Sequence, residues 1–284
     1  KRIEDMNYLV KEIGNDYIPK AILSASRNGF REYSNNITSQ NHFLVNNEDG
    51  LISYLNETIV NGTLSGTVIN IHSLNHLLSN LSLSIFESIN IETNFNVKKD
   101  TFEIFQNETS GPWSVGIKIE IDYEVISDLA EWNITGKEFI VYIHIDNLPD
   151  PYLSINSNKN YNIRNITQHG NTTWELENFR DHVLNKTYFW GEKSPNYLSR
   201  LINSTKDSKC CGIHTFVDEK SKSTGPLEGF YNKSFIDFCY FSNRCDNILY
   251  NVTDISNETY PFRIDEFHLT KLYILNSDHY TLIE

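Results

Sequence analysis

The chain has 284 residues, with 24 Lys and Arg against 37 Asp and Glu and a formal net charge of −13. Its cations are scattered rather than gathered on one face, which argues against nucleic acid as a partner. The longest apolar runs, such as residues 139–145, are far shorter than the roughly 20 residues that span a bilayer, so no membrane span is expected within these residues, and the length suits two domains.

The chain starts at Lys1 without a signal-peptide pattern, and an upstream segment is expected to have been processed or omitted. Ile3, Met6, Leu9, Val10, Ile13 and Tyr17 recur at helical spacing, and Ala21, Ile22 and Ala25 carry the stripe toward Phe30. Pro19 is expected to bend or interrupt this helix. A helix emerging from a removed membrane anchor and an ordinary N-terminal amphipathic helix fit the stripe equally well. A short helix is predicted over residues 51–60, ending at Asn61-Gly62, and a second is carried by Leu74, Leu77, Leu78, Leu81 and Ile85. Both should pack on the sheet that follows.

That sheet is expected to begin near Ile89. Ile91, Phe95 and Val97 alternate with polar residues, Lys98-Lys99-Asp100 reads as a turn, and residues 101–106 return with Phe102 and Ile104 on one face. The strongest local signal follows. Val115, Ile117, Ile119, Ile121, Tyr123 and Val125 alternate with Gly116, Lys118, Glu120, Asp122 and Glu124, which is a strand with one buried face. A second strand, residues 139–145, places apolar residues on both faces and so reads as more enclosed. The 13 residues between them contain Trp132 and a predicted bend at Thr135-Gly136. The sum is a meander of about four antiparallel strands.

The pattern stops at Pro149-Asp150-Pro151, and residues 154–173 form an Asn-rich polar run that reads as a linker. The expected organisation is a helix-plus-sheet domain over residues 1–153, that linker, and a smaller disulfide-containing domain over residues 174–284. The second domain opens with a predicted helix over residues 174–184, continues through residues 197–202, and has predicted strands at 213–217, 248–252 and 269–274. The fold class is α+β: a long N-terminal helix and short helices on an antiparallel meander, then a disulfide-stapled α+β domain.

Asparagine is unusually frequent. Of 35 Asn, 13 open an Asn-x-Ser/Thr sequon: Asn36, Asn56, Asn61, Asn80, Asn107, Asn133, Asn165, Asn171, Asn185, Asn203, Asn232, Asn251 and Asn257. At this Ser and Thr content chance places roughly five or six, and eleven of the 13 carry Thr. An AT-rich genome explains abundant Asn but not its pairing with Thr. The excess points to a secreted or cell-surface protein carrying covalent N-linked glycans, with no other cofactor expected.

The four cysteines, Cys210, Cys211, Cys239 and Cys245, agree with an oxidising compartment. Because adjacent cysteines close a strained ring, each of Cys210 and Cys211 is expected to reach one of Cys239 and Cys245, closing a loop that contributes about 3 kcal/mol in the chain-entropy model. A zinc site using His214 beside Cys211 lacks the usual ligand spacing.

Other constellations carry little chemistry. His72 and His76 stand four apart in HSLNH, but the glutamate of a zinc protease is missing. Asp146 and Asp150 belong to no regular calcium-loop ladder. Residues 62–66 read GTLSG, not a nucleophile elbow, and no phosphate-binding glycine motif occurs. A carboxylate pair for glycoside hydrolysis meets only in space and stays open. No catalytic or metal residue is assigned, and the chain is not expected to be an enzyme.

SASRNGFREY in the N-terminal helix, GPWSVGIKIEIDYEVISD, DNLPDPYL and SPNYLSRLINSTKDSKCCGIHTFV together resemble a group of archaeal cell-surface proteins with one N-terminal membrane segment. The resemblance implies an exported, anchored protein. The helix-then-meander order is also similar to type IV pilins, although the given residues lack the pilins' apolar N-terminal helix. The expected function is therefore a glycosylated extracellular structural protein, a cell-surface or filament subunit that self-associates through the N-terminal helix and the tail from about residue 260. In that tail Leu269, Leu272, Tyr273 and Ile274 offer strand-prone material. The alternatives are an anchored adhesin recognising carbohydrate or a cell surface, and a secreted hydrolase.

Overall fold

The computed structural model describes residues 2–128, 130–164, 176–217, 233–242, 244–245, 248–252, 262–272 and 280–282. The chain divides into two units, Lys1–Leu148 and Pro149–Glu284. The α+β architecture is a long N-terminal helix with short helices and an antiparallel sheet, then a disulfide-containing α+β unit. The division comes after Leu148, ahead of the expected boundary at 153. Residues 154–157 are helical, not linker, and Ile163 is fully buried; residues 165–173 of the expected linker lie outside the described residues.

In the first unit, α1 (Arg2–Glu12), a π-helical turn (Ile13–Tyr17) and α2 (Ile18–Gln40) follow one another without a break. Pro19 has no N–H to donate and would crowd the carbonyl four residues back. The π turn accommodates this by sending the Ile18 N–H to the Ile13 carbonyl, five residues back. The same turn keeps the apolar stripe in line. Buried Val10, Ile13, Ile18, Ile22, Ala25, Gly29, Tyr33 and Ile37 step by three or four, except for one step of five from Ile13 to Ile18. Tyr17, expected in the stripe, is 40% exposed instead.

Asn47 caps α3 (Glu48–Asn56) by accepting from the Gly50 N–H at 2.7 Å, which starts the helix three residues before the predicted Leu51. A second π turn (Glu57–Asn61) ends at Gly62, φ 78°, where the left-handed backbone favours glycine. A small hairpin, β1 (Thr63–Leu64) with β2 (Thr67–Val68), leads to α4 (Leu74–Ile89), which stops on Asn90 at φ 54°.

The sheet has three strands in the order β3 (Glu92–Phe105), β4 (Ser114–Ile126), β5 (Glu131–His144), all antiparallel, not the four expected. Lys98-Lys99-Asp100 does not turn the chain. It lies in an irregularity of β3, where the register jumps from Lys98↔Glu120 to Glu103↔Lys118. Thr101 Oγ1 bridges the gap, donating to the Lys98 carbonyl at 2.8 Å and accepting from the Glu120 N–H at 2.9 Å. Thr135-Gly136 is likewise a bulge within β5 and not a loop: Gly136, φ 61°, donates its N–H to Asp122 Oδ1 at 2.6 Å. The alternating residues of β4 are buried as predicted, with Phe139, Val141 and Ile143 beside them. The other face meets solvent. Lys118 pairs with Glu103 at 3.3 Å and Glu138 at 3.1 Å, and Ile140 and Tyr142 are exposed, so β5 is less enclosed than its sequence suggests.

The second unit contains α5 (Pro151–Ser157), α6 (Leu176–Asn185), β6 (Phe189–Trp190), α7 (Tyr197–Arg200), β7 (Ile213–His214), α8 (Asp237–Ser242), β8 (Leu249–Val252), β9 (Phe262–Asp265), α9 (Glu266–Leu272) and β10 (Tyr280–Leu282). β6 pairs with β7, and β10-β8-β9 form an antiparallel sheet. The strand expected over 269–274 is helix as far as Leu272, because Asp265 Oδ1 accepts from the His268 N–H at 3.1 Å and starts a turn there. Tyr152, Phe189, Phe216, Ile236, Phe238, Phe262 and Ile264 form the core of this unit.

Gly29 is where α2 meets the second π turn closely: a Cβ on it would lie 2.5 Å from Ile59 Cγ1. The Gly29→Val variant is expected to lose about 1–3 kcal/mol of stability by overpacking, read as a lower denaturant midpoint; an unchanged midpoint would show that the contact is loose.

Candidate functional site

The densest polar chemistry lies inside the second unit. Arg200, in α7, is fully buried. Its Nε donates to Asp150 Oδ1 at 3.1 Å and its Nη2 to Asp150 Oδ2 at 2.5 Å, a two-point clamp, and Nη2 also donates to Asp237 Oδ2 at 2.6 Å. Nη1 donates to the Ile213 carbonyl at 3.4 Å, and the Tyr152 ring lies 4.9 Å from the guanidinium. Burial alone would lower the arginine's pKa, but the two carboxylates more than offset it and hold the cation well above its ordinary value. Burial pushes Asp237 up despite that cation, and it pushes the Tyr188 phenol, which donates to Asp150 Oδ2 at 2.6 Å, far up.

Beside Ile213 begins a second cluster. Ser194 Oγ is 2.6 Å from His214 Nδ1, and the His214 ring stands 5.0 Å from that of His268. His268 Nδ1 lies 2.8 Å from both oxygens of Asp265, which also accepts from Ser234 Oγ at 2.7 Å. Cys239 Sγ is 3.9 Å from Asp265 Oδ2. The Nε2 atoms of His214 and His268 are both buried and have no hydrogen-bond partner among the described residues. Burial first, then the neighbouring His268 and Arg200, hold the His214 imidazole far below its ordinary pKa. Burial works to raise Asp265, but its hydrogen bonds and charge interaction with His268 win and hold it below the usual carboxylate range. A cavity of about 70 Å³ opens beside this cluster, lined by Lys193, Asp207, Phe238, Arg244, Cys245 and His268 among others.

The cysteines are paired Cys210–Cys211 and Cys239–Cys245, with Cα separations of 3.8 and 5.1 Å. This corrects the expectation that each adjacent cysteine reaches across to the later pair. Cys239 and Cys245 lie six apart, near the end of α8, and meet locally. Cys211, set aside above as a zinc ligand beside His214, is taken up by its bond to Cys210, and His214 Nδ1 faces Ser194. His72 precedes α4 while His76 lies within it beside Asn80, so the two do not share a helix face. Asp150, set aside with the proline turn, is a ligand of the buried arginine.

Ser194 and His214 do not make a nucleophile–base pair of the hydrolase type. Ser194 is fully buried, and among the described residues no third group orients the imidazole from its other nitrogen. What the arrangement does offer is a soft and borderline donor set. Cys239, Cys245, Asp265 and His268 present ligand atoms all within 4.8 Å of one another. The D-E-F-H run of residues 265–268 is the sequence signal for this cluster, since an acid that caps a helix accepts from the N–H three residues on and so meets the residue there.

Nine sequon asparagines are described. Asn61, Asn80, Asn107, Asn133, Asn185 and Asn203 are exposed, Asn36, Asn56 and Asn251 are half-buried, and none is buried. Asn165, Asn171, Asn232 and Asn257 lie outside the described residues. Compared with known proteins, the chain matches no family model, no curated protein and no solved structure.

An imidazole that titrates near 6.5 in the unfolded chain but stays neutral when folded makes the unfolded state the stronger proton binder. Stability then falls as pH drops below about 6.5, by up to about 1.4 kcal/mol per pH unit. The His214→Gln variant is expected to lose that slope in denaturant unfolding between pH 7 and pH 5. Equal slopes in the two proteins would assign the dependence to another group.

Proposed function

We infer that the chain is an N-glycosylated extracellular protein that acts through its surface, as a subunit of a cell-surface or filamentous assembly. The observation that carries this reading is the sequon set: 13 sequons, eleven of them with Thr, and of the nine described six have an exposed asparagine and three, Asn36, Asn56 and Asn251, a half-buried one, with Asn56 Nδ2 donating to the Lys99 carbonyl at 2.9 Å. A sequon asparagine in the core would have counted directly against it, because the modified nitrogen must be reached by the transferase. The two disulfides fit the same oxidising compartment.

Exposed apolar side chains on two elements support self-association: those on the N-terminal helix lie in a stretch free of sequons, and those on α4 follow directly after the Asn80 sequon. On the N-terminal helix Ile3, Tyr8 and Leu23 are exposed. On α4, Leu83, Phe86 and Ile89 are 60%, 52% and 51% exposed at three-residue steps. The tail is a weaker candidate than its sequence suggests. Leu269 is buried in α9, and β10 pairs with β8 of its own unit. Tyr273 and Ile274 lie outside the described residues.

Intact mass spectrometry of material from the native host is expected to show species heavier than the 33.0 kDa polypeptide, returning toward it after chemical deglycosylation. Peptide maps should show modification at the exposed sequons Asn61, Asn80, Asn107, Asn133, Asn185 and Asn203. A single species at the polypeptide mass overturns the reading. For the assembly, electron microscopy of native material is expected to show regular arrays, and a Leu83→Asp/Phe86→Asp chain to remain monomeric with unchanged circular dichroism. Arrays that survive those substitutions would remove α4 from the interface.

A further inference from the structure

We propose that Cys239, Cys245, Asp265 and His268 form a metal site gated by the redox state of the cysteine pair, closed while Cys239–Cys245 is a disulfide and able to hold one divalent ion of the zinc class once it is reduced. The four residues come from α8, the segment just after it, the end of β9 and the first turns of α9. They gather in one place around the end of the buried network.

Composition of the donor set comes first. Two thiolates, a carboxylate and an imidazole are the ligand types of a closed four-coordinate zinc site. Cys239, Asp265 and His268 are each at least nine-tenths buried, so a chelated ion there would be shielded from water. Geometry comes second. All four ligand atoms lie within 4.8 Å of one another. For Zn–S near 2.3 Å and Zn–O near 2.0 Å, a tetrahedron places S and O about 3.5 Å apart; the Cys239 Sγ to Asp265 Oδ2 separation is 3.9 Å. The sulfurs must part from bonding distance to about 3.8 Å to take a zinc ion between them, and Cys245, which is only partly buried, has room to move at the cavity edge.

The third observation is the imidazole itself. His268 is 3% exposed and its Nδ1 lies 2.8 Å from both Asp265 oxygens. That nitrogen and the carboxylate can exchange their mutual hydrogen bond for a shared ion, with the imidazole proton carried on Nε2. The His214 ring stands 5.0 Å from that of His268 and closes the other side of the imidazole.

A dithiol reductant gives two electrons and two protons to the Cys239–Cys245 bond and leaves as its own disulfide, producing two thiols. The ion then binds the two thiolates, and the two thiol protons pass to solvent.

The test uses the full chain. It is reduced with a phosphine, which becomes the phosphine oxide by taking oxygen from water, freed of reductant under anaerobic conditions, and titrated with Co²⁺. The expected result is one equivalent bound per chain, with a thiolate-to-cobalt charge-transfer band and the visible bands of a tetrahedral ion, both displaced by Zn²⁺. The unreduced chain should show neither. Cys239→Ser should abolish the charge-transfer band, His268→Gln should weaken Zn²⁺ binding by at least about 10-fold, and Cys211→Ser should change nothing. A band that survives Cys239→Ser but disappears in Cys211→Ser assigns the metal to the other cysteine pair and overturns the proposal. So does a reduced, folded chain that binds no Co²⁺. If reduction unfolds the chain, recovery of native circular dichroism on adding Zn²⁺ supports the site, and failure to recover it rejects the site.

Discussion

A guanidinium with no solvent exposure is among the costliest groups a protein can enclose, and the second unit is arranged around one. Arg200 is satisfied by Asp150, Asp237 and the Ile213 carbonyl, and the two acids lie 50 and 37 positions from it in sequence. Each carboxylate has a further task. Asp150 is the N-cap of α5 and takes the Tyr188 hydroxyl, while Asp237 opens α8 and accepts from the Phe238 N–H at 2.8 Å. Removing either acid would therefore leave a buried cation underpaired and free a helix end together. The triad supports specificity of arrangement more than net stability, since an apolar replacement of all three could pack as well.

Arg200 also reaches past the triad. Its bond to the Ile213 carbonyl fixes β7, and the next residue is His214, packed between Phe189, Phe238 and His268. The ring of His214 in turn contacts that of His268, whose Nδ1 meets Asp265. This is why the polar groups of the unit form one connected chain of partners rather than separate contacts, and why the electrostatic effects on His214 come partly from Arg200.

Little of that was legible beforehand, and the reason is physical. The first unit is built from periodic apolar burial, which leaves a local trace: the alternation of β4 predicts its buried face residue by residue, and the helical stripe predicts the N-terminal helix. Even there, the errors are at irregularities. A five-residue step from Ile13 to Ile18 encodes a π turn, and Lys98-Lys99-Asp100 and Thr135-Gly136 look like turns because bulges and turns favour the same residue types. In the second unit the organising residues are polar and far apart, so periodicity says nothing about them. Asp150 reads as part of a proline turn, Arg200 as an ordinary basic residue, and the cysteine pairing depends on the path of a backbone that spacing alone does not determine.

Asparagine shows how one composition signal can hold two causes. Of the seven non-glycine residues with positive φ among the described residues, five are Asn: Asn41, Asn90, Asn147, Asn158 and Asn203. Three of these, Asn41, Asn90 and Asn158, end helices in the left-handed conformation that asparagine tolerates better than most side chains. Only Asn203 of the five opens a sequon. Abundant Asn is therefore partly a matter of stopping helices and making tight turns, and by itself it says nothing about sugar. A cap makes no demand on the residue two places on, whereas a glycan acceptor requires Ser or Thr there. The weight of the extracellular reading accordingly rests on the threonines at that position, not on the asparagines.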